Sequence, residues 1–149
     1  NLYNNVYPKI TFFYPASNLP HKNHRILFRA FFLFISKFGP DFNLIVTISQ
    51  KSALDLGANI PQVKAVGNLS MYQLINYYSK VNYLIYPSLI ESLGLPLLEA
   101  SSIGLPIIAS DLDYVYEACN PISTFNPYSE SSILSSIIEC TNKQSHNSD

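Results

Sequence analysis

Tryptophan is absent from this sequence, and methionine, cysteine and glycine are scarce. One methionine, two cysteines and five glycines occur among 149 residues. The two cysteines, Cys119 and Cys140, are too few for a disulfide framework and have no metal-ligating neighbours at a suitable spacing. Buried thiols in a reducing compartment are therefore expected, with a single bridge between the two cysteines as the alternative.

Charged residues and long apolar runs are also scarce. Nine Lys and Arg against ten Asp and Glu leave a formal net charge of −1, with no cluster of cations that would bind nucleic acid or an anionic membrane. The longest apolar stretch, 30–35, is far too short to span a bilayer, so no transmembrane segment is predicted. The chain opens with neither a methionine nor a signal pattern, which indicates a piece of a longer protein.

Apolar residues make up 48% of the chain, enough for one domain with a sizeable core. Runs rich in β-branched and aromatic residues alternate with segments of helical periodicity. The predicted strands are Lys9–Tyr14, Asn43–Ile48, Gln62–Gly67, Tyr83–Tyr86, Leu105–Ser110 and, weakly, Ser123–Phe125. The predicted helices are Arg25–Phe38, Ser52–Leu56, Met71–Lys80 capped by Ser70, Pro96 to a stop at Gly104, Asp111 or Asp113 to Cys119, and Ser129–Thr141. Apolar strands alternating with helices predict a doubly wound parallel α/β sheet over residues 1–141, followed by a polar tail, 142–149.

The helix predicted at 25–38 is more apolar than one side of a sheet requires. Its polar residues follow roughly one stripe, and isoleucine, leucine and phenylalanine fill the other positions. Packing in the core is favoured over docking to a partner domain or a membrane surface.

The segment Glu91–Ala100 is the clearest candidate for a binding site. Pro96 suits the first turn of a helix, and Gly94 lets the backbone approach a ligand closely. Free amides at a helix start bind anions, while the carboxylate of Glu99 can accept two hydrogen bonds from a vicinal diol such as a ribose. Phosphate and ribose together indicate a nucleotide. The plainer alternatives are a solvated loop acid for Glu91 and a glutamate favoured by the helix dipole for Glu99.

The position of this segment supports the nucleotide interpretation. It lies between two apolar runs, 83–87 and 106–109, that are typical of buried parallel strands. Ligands of such sheets bind at the carboxyl ends of the strands.

Three stretches resemble a known family: 66–70, 86–100 and 104–110. They are similar to the C-terminal donor domain of retaining GT-B-fold glycosyltransferases, which include glycogen and sucrose synthases and many bacterial lipopolysaccharide and capsule enzymes. The similarity spans about residues 8 to 140. It implies a Rossmann-like domain that forms one half of a GT-B fold.

The resemblance implies a role for each residue of the segment that matches the family pattern. Glu91 would contact the donor sugar. The backbone at Leu93, Gly94 and Leu95 would hold the sugar and the diphosphate. Glu99 would bind the ribose hydroxyls.

Two further positions follow from the resemblance. Lys22, in the loop after the first strand, would bind the diphosphate, and the base would lie near Val66 and Gly67. Two glutamates near a diphosphate would repel it unless cations offset them, which makes Lys22 important on physical grounds as well.

The family commonly has an arginine a few residues before this lysine, and the loop here has none. Arg25, His21 and His24 are the candidates for a second cation. Arg25 is expected on the solvent side of its helix, and both histidines are expected to be plain surface residues.

The resemblance implies transfer of a hexosyl unit from a nucleotide sugar, with UDP favoured, to an acceptor hydroxyl with retention. No metal and no other cofactor is expected. The setting implied is bacterial cell-surface polysaccharide (O-antigen or capsule) biosynthesis, in the cytoplasm at the inner face of the membrane. The partners implied are an N-terminal acceptor-binding domain that is missing here and, for the full enzyme, peripheral contact with the membrane. The alternatives are a non-catalytic nucleotide-binding or interaction module and a GT-B nucleotide-sugar epimerase.

Overall fold

The structure is a computed structural model that describes residues 10–147, with side chains described as far as Lys143. The strands are β1 (Ile10–Tyr14), β2 (Phe42–Val46), β3 (Val63–Ala65), β4 (Tyr83–Tyr86), β5 (Ile107–Ser110) and β6 (Ser123–Phe125). The helices are α1 (His24–Phe38), α2 (Gln50–Asp55), α3 (Met71–Lys80), α4 (Leu95–Ser102), α5 (Asp113–Ala118) and α6 (Glu130–Asn147), and a 3-10 turn, Pro20–Lys22, precedes α1. Lys9, predicted as the start of the first strand, lies outside the described residues.

All six strands form one sheet in the order β3-β2-β1-β4-β5-β6, and every neighbouring pair is parallel. The predicted doubly wound parallel sheet is therefore confirmed. Strand order runs one way from β1 to β3 and the other way from β4 to β6. This reversal between β1 and β4 is the switch point at which such sheets bind ligands, outside the carboxyl ends of the strands.

Helices cover both faces of the sheet, as alternate residues of β1 show. Phe12 meets Phe31 and Phe34 of α1 with ring centroids 6.2 and 6.3 Å apart. Its neighbour Phe13 stacks on Tyr77 of α3 at 5.3 Å. Since successive strand side chains point to opposite faces, α1 and α3 lie on opposite sides of β1. Both faces of the sheet are thus buried, which explains the nearly continuous apolar strands.

The apolar excess of α1 is largely accounted for by packing. One side of the helix is buried against the sheet, and α1 also packs against α6. The favoured prediction, core packing, is confirmed for most of its apolar residues. Phe32, Leu33 and Phe38 remain 47%, 38% and 40% exposed.

The predicted end of the last helix and the predicted cap of α5 are wrong. The last helix does not end at Thr141 but continues to Asn147, so most of the predicted polar tail is helical. A Glu139–Lys143 ion pair of 3.1 Å, one turn apart, supports this extension. Neither Asp111 nor Asp113 caps α5: Leu112 occupies the N-cap position without a side-chain cap, and Asp111 instead accepts a hydrogen bond from the hydroxyl of Tyr116.

Several strands are shorter than predicted. Strand β2 ends at Val46, β3 at Ala65, and β5 begins only at Ile107. The apolar residues just beyond these limits lie in loops, where packing and isolated hydrogen bonds hold them. Helix α2 starts earlier than predicted, because the side chain of Ser49 caps it by accepting from the Ser52 amide.

Both cysteines are buried free thiols, as first expected, rather than a bridged pair. Within residues 10–147, no helix is both long enough and apolar enough to cross a membrane.

Candidate functional site

The site is built around an ion pair at the switch point of the sheet. Lys22 lies in the loop after β1 and Glu91 in the loop after β4. The Lys22 Nζ atom lies 2.5 Å from Glu91 Oε1, and the two side chains are only 15% and 11% exposed. The structure thus brings together two residues that the sequence placed in separate loops.

The backbone around Lys22 is fixed by several contacts. The 3-10 turn begins with Pro20, and the buried hydroxyl of Tyr14 donates to the carbonyl of Lys22 at 2.7 Å. The carbonyl of His21 accepts from the amide of Leu89, in the loop that leads to Glu91, at 2.9 Å. The two loops that carry the ion pair are therefore joined through their backbones as well as through their charges.

Asn23 follows Lys22 in a left-handed conformation, with φ 67 and ψ 31. Its amide nitrogen Nδ2 donates to the carbonyl of Pro87 at 3.0 Å and to the carbonyl of Pro127 at 2.8 Å. These bonds connect the Lys22 turn to the loops after β4 and β6.

Several donors hold the carboxylate of Glu91. Oε1 accepts from Ser88 Oγ at 2.8 Å in addition to Lys22. Burial raises the pKa of Glu91, but hydrogen bonds from Lys22, Ser88 and Tyr86 together with the Lys22 charge outweigh it, so the pKa lies below its ordinary value. Glu91 is therefore ionised at neutral pH.

A buried polar cluster supports the loop that carries Glu91. The carbonyl of Ser88 accepts from Ser110 Oγ at 3.1 Å and from the hydroxyl of Tyr114 at 2.5 Å. Burial raises the pKa of Tyr86 and of Tyr114, and the nearby Glu91 charge raises both further. Both phenols therefore stay protonated and act as donors at neutral pH.

Helix α4 begins at Leu95, one residue before the predicted start at Pro96, and Pro96 lies in its first turn as predicted. Gly94 is the N-cap in a left-handed conformation, φ 61 and ψ 46, and its carbonyl accepts from the amides of Leu97 and Leu98. Pro96 lies in the first turn and has no N–H, while the Leu95 amide, at the first helical position, has no acceptor within the helix. The side chains of Leu93 and Leu95 are 69% and 55% exposed, so only their backbone can serve a polar ligand.

Glu99 lies within α4 and pairs with neither Lys22 nor Glu91. Its Oε2 atom and the hydroxyl of Tyr78 are both buried, and neither makes a hydrogen bond of good geometry in the described part of the chain. Burial raises the pKa of Tyr78, and the charge of Glu99 and a side-chain hydrogen-bonding interaction with its carboxylate raise it further, so the phenol and the carboxylate are neighbours. A donor from a ligand would add to or replace the Tyr78 hydroxyl at this carboxylate.

The predicted base-binding residues lie just after β3. The amides of Val66 and Gly67 donate to the carbonyls of Val46 and Ile48, both at 3.0 Å, so they belong to the backbone structure of the sheet edge. An open cavity of about 260 Å³ lies beside them, at the carboxyl ends of β1 and β2. It is lined by Pro15, Ala16, Ser17, Thr47, Asn68, Leu69 and Leu74.

None of the candidates for a second cation forms an ion pair or a side-chain hydrogen bond with Lys22 or Glu91 in the described part of the chain. Arg25 is exposed, as expected, and its Nη2 donates to the carbonyl of Asp55 at 3.4 Å. The prediction that His24 is a surface residue is wrong: it is 2% exposed, and neither ring nitrogen has a hydrogen-bond partner among the described residues. Burial and, to a lesser degree, the Lys22 charge lower its pKa to about 4. His24 is buried because it is the first residue of α1 and its ring packs against Tyr14 and Phe28. His21 is half-buried.

No group of three or more His, Cys, Asp or Glu side chains that could hold a metal ion occurs among residues 10–147. The expected independence from metal stays a prediction.

The comparison with protein families gives a direct match. A family described as glycosyl transferases group 1 matches residues 4–123. The chain belongs to this family. The family prediction made from the sequence is thereby confirmed, and the Lys22–Glu91 ion pair lies inside the matched part of this glycosyl transferases group 1 chain.

The chain is also similar to a mannosyltransferase in sequence and to several solved structures in fold. The O-antigen chain mannosyltransferase of Salmonella typhimurium is 29% identical over 131 residues, which are 82% of this chain and 36% of that protein. Sucrose-phosphate synthase from Thermosynechococcus elongatus matches 89% of this chain with a TM-score of 0.72 at 19% identity, and 36% of its own chain is covered. Anabaena HepE, solved with UDP and glucose, matches 93% of this chain with a TM-score of 0.74 at 16% identity, and 40% of its chain is covered.

The catalytic domain of cholesterol-α-glucosyltransferase from Helicobacter pylori has a similar size. It matches 92% of this chain and 89% of its own with a TM-score of 0.75 at 19% identity. These likenesses show that this glycosyl transferases group 1 chain has the Rossmann-like fold of GT-B enzymes. The chain spans about a third of the mannosyltransferase it matches.

Sequence reasoning overlooked Asn23, Ser88, Tyr86 and Tyr114 as parts of the site. Ser88 lies between the end of β4 and Glu91, and this position in the sequence could have indicated that it belongs to the site. The contacts of Asn23 join residues 64 and 104 positions apart and have no local signal.

Proposed function

We propose that this chain is the donor-binding domain of a retaining glycosyltransferase, which transfers a hexosyl unit from a nucleotide sugar to an acceptor hydroxyl. The observation that carries the proposal is the Lys22–Glu91 ion pair at the switch point, close in sequence to the glycine-capped start of α4. A cation, a carboxylate and a free helix-start amide together suit a sugar diphosphate.

Lys22 and the Leu95 amide are assigned to the diphosphate. The difficult step of glycosyl transfer is departure of the diphosphate, which leaves with its negative charge, from an anomeric centre that becomes positive. A fixed ammonium group and an oriented amide stabilise the leaving group. The Lys22 side chain is only 15% exposed, so its charge is less screened by water and interacts more strongly. The diphosphate competes with Glu91 for Lys22 or shares it.

Glu91 and Glu99 are assigned to hydroxyl groups of the donor. Glu91 is ionised at neutral pH and can accept hydrogen bonds from the sugar. The carboxylate of Glu99 suits a ribose hydroxyl, whose donor would add to or replace the Tyr78 hydroxyl beside it.

The cavity beside Val66 and Gly67 is assigned to the base. Its volume of about 260 Å³ and its mixed lining, in which Ser17, Thr47 and Asn68 are polar and the other residues apolar, suit a flat heterocycle with polar edges. UDP is the proposed nucleotide. Its presence in the complex of Anabaena HepE supports this choice.

The biological setting is part of the same proposal. The relative that makes O-antigen chains supports a role in bacterial cell-surface polysaccharide synthesis. We place the full enzyme in the cytoplasm at the inner face of the membrane, with an N-terminal acceptor-binding domain as the partner of this one. No metal and no other cofactor is assigned to the reaction.

Calorimetry and thermal shift with UDP, GDP, ADP and their common sugars test the proposal. A ligand at 100 times its dissociation constant that binds only the folded state stabilises it by about 2.7 kcal/mol, a shift that is easily measured. The variants Lys22→Ala and Glu99→Ala should bind the preferred nucleotide less tightly than the unaltered chain. The exposed Lys51 of α2, changed to alanine, is the matched control that should leave binding unchanged.

A folded chain that binds none of these nucleotides contradicts the proposal and favours the non-catalytic interaction module. Epimerised nucleotide sugar formed without an acceptor favours the epimerase. Transfer with retention after the chain is combined with an acceptor-binding domain supports the glycosyltransferase.

A further inference from the structure

We propose that Asn23 is a positioning residue that holds Lys22 at the diphosphate end of the site by tying three loops together. The inference rests on the proposed function, because it concerns how the diphosphate-binding cation is placed. Asn23 has no charge, and the proposed function does not place it in contact with the ligand.

The backbone of Asn23 joins the Lys22 turn to α1. Asn23 is the one non-glycine residue with a positive φ in the described part of the chain. Its amide donates to the carbonyl of Pro20 at 3.1 Å and closes the turn, and its carbonyl accepts from Leu27 at 3.4 Å inside α1. Asparagine tolerates this left-handed conformation better than most residues.

The side chain of Asn23 uses both hydrogens of its amide group. One bond goes to the carbonyl of Pro87, in the loop that leads from β4 to Glu91, and the other to the carbonyl of Pro127, in the loop between β6 and α6. Each carbonyl lies at a hydrogen-bond distance of 3.0 Å or less. The residue beside Lys22 is thereby fixed to the loops that follow β4 and β6.

The geometry explains why asparagine, and not glycine or aspartate, suits this position. Glycine would adopt the backbone conformation freely but would leave both proline carbonyls without this donor. Aspartate has the same shape and also tolerates a positive φ, but its carboxylate would face two carbonyl oxygens and repel them. Only an amide satisfies the backbone and both acceptors.

The test compares Asn23→Gly and Asn23→Asp with the unaltered chain. Calorimetry measures the dissociation constants of UDP, GDP and ADP and of the corresponding nucleosides, at a temperature where circular dichroism shows every protein folded. We expect the dissociation constant of the preferred diphosphate to rise about tenfold, since the ligand must then order the loop. Binding of the nucleoside, which has no phosphate for Lys22, should not change. Asn18→Gly, at an exposed position of the same loop, is the matched control.

A double-mutant cycle with Lys22→Ala separates positioning from a purely structural role. If Asn23 acts through Lys22, Asn23→Gly should have no further effect on diphosphate affinity once Lys22 is alanine. An equal loss in both backgrounds, or an equal loss for diphosphate and nucleoside, overturns the proposal. So does unchanged diphosphate affinity in both Asn23 variants. Failure of the unaltered chain to bind any nucleoside diphosphate overturns the proposed function and this inference together.

Discussion

The ammonium nitrogen of Lys22 lies 2.5 Å from Glu91 Oε1, across 69 residues of sequence. The two opposite charges of the pair balance each other at the switch point of the sheet. An incoming diphosphate meets a cation that already has a partner, so Lys22 and Glu91 should influence its binding in opposite directions.

Substitutions of the two residues should therefore have opposite effects on UDP. Lys22→Ala removes a charge-assisted bond and should weaken UDP binding by about tenfold to a hundredfold. Glu91→Gln keeps the shape, removes the competing negative charge and should tighten UDP binding several-fold. Calorimetry with UDP lacking a sugar measures both. Weaker UDP binding in Glu91→Gln would show that the carboxylate does not compete for Lys22.

The stability of the chain should fall in acid partly through Glu91. Its pKa is lowered from the ordinary 4.5 in the folded state, so its contribution is present above the unfolded-state pKa and is lost as the pH falls through the folded-state pKa. Urea unfolding of the unaltered chain and of Glu91→Gln between about pH 7 and pH 3 measures this contribution. The free energies of unfolding of the two proteins should differ less in acid than at neutral pH. A constant difference across the range would contradict this.

His24 should add a second acid-sensitive contribution at higher pH. Its pKa falls from 6.5 to about 4 on folding, so the unfolded chain binds the proton more tightly and stability is lost as the pH falls from 6.5 towards 4. The loss should be at most about 3 kcal/mol from a shift of this size. His24→Phe removes the titrating group and should flatten stability over this range, as measured by urea unfolding. Equal slopes in both proteins would exclude His24 as the cause.

Gly94 should be sensitive to any side chain. At φ +61, a Cβ would lie 3.3 Å from Leu97 Cδ1, so Gly94→Ala should lower stability by about 1–2 kcal/mol and reduce nucleotide affinity by shifting the start of α4. Gly104, at the other end of α4, has φ +75 and open space around it, and Gly104→Ala is the matched control. It should lose stability through the backbone alone and bind UDP normally. Equal losses of affinity would contradict a special role for the Gly94 turn.

Glu99 should recognise the ribose and not the phosphates. Glu99→Ala should weaken binding of UDP by about tenfold, because the buried acceptor is lost. With 2′,3′-dideoxy UDP, which lacks both hydroxyls, Glu99→Ala and the unaltered chain should bind equally. Calorimetry with the two nucleotides gives the comparison. The same loss with both nucleotides would assign Glu99 to another part of the ligand.

The sequence predicted the sheet well, and the reason lies in its burial. Strands such as β4, which is buried on both faces, are recognised by continuous apolar residues, and both limits of Tyr83–Tyr86 are as predicted. The prediction extends β2 to Thr47 and Ile48, beyond its observed end at Val46. Both residues are β-branched, and such residues in a loop at the carboxyl edge of the sheet look like strand residues in the sequence. The prediction ends α6 too early because the last turns of this helix are polar. Polar residues occur both in exposed helices and in irregular tails, so polarity alone does not distinguish the two.

The chemistry of the site was predictable in part. Glu91 and Lys22 are charged residues in recognisable motifs, so the sequence identifies both as candidates, and the structure shows that they form an ion pair. The burial of His24 was not predictable, since a histidine at a helix start gives no sign of whether the ring turns inward. The contacts of Asn23, Ser88 and Tyr114 depend on which loops meet in space, and sequence spacing does not contain that information. The roles of Glu99, Val66 and Gly67 stay predictions until a ligand is measured.

The bond between Asn23 and Pro127 has a consequence for how the molecule folds. It joins positions 104 residues apart, and the bonds to Pro87 and Glu91 span 64 and 69 residues. Contacts of such length form slowly and only after most of the chain is present. On the ribosome, the loop that carries Lys22 would gain all of these bonds only after the segment between β6 and α6 has emerged, so a nascent chain arrested earlier would hold β1 and β4 with this loop incompletely fixed.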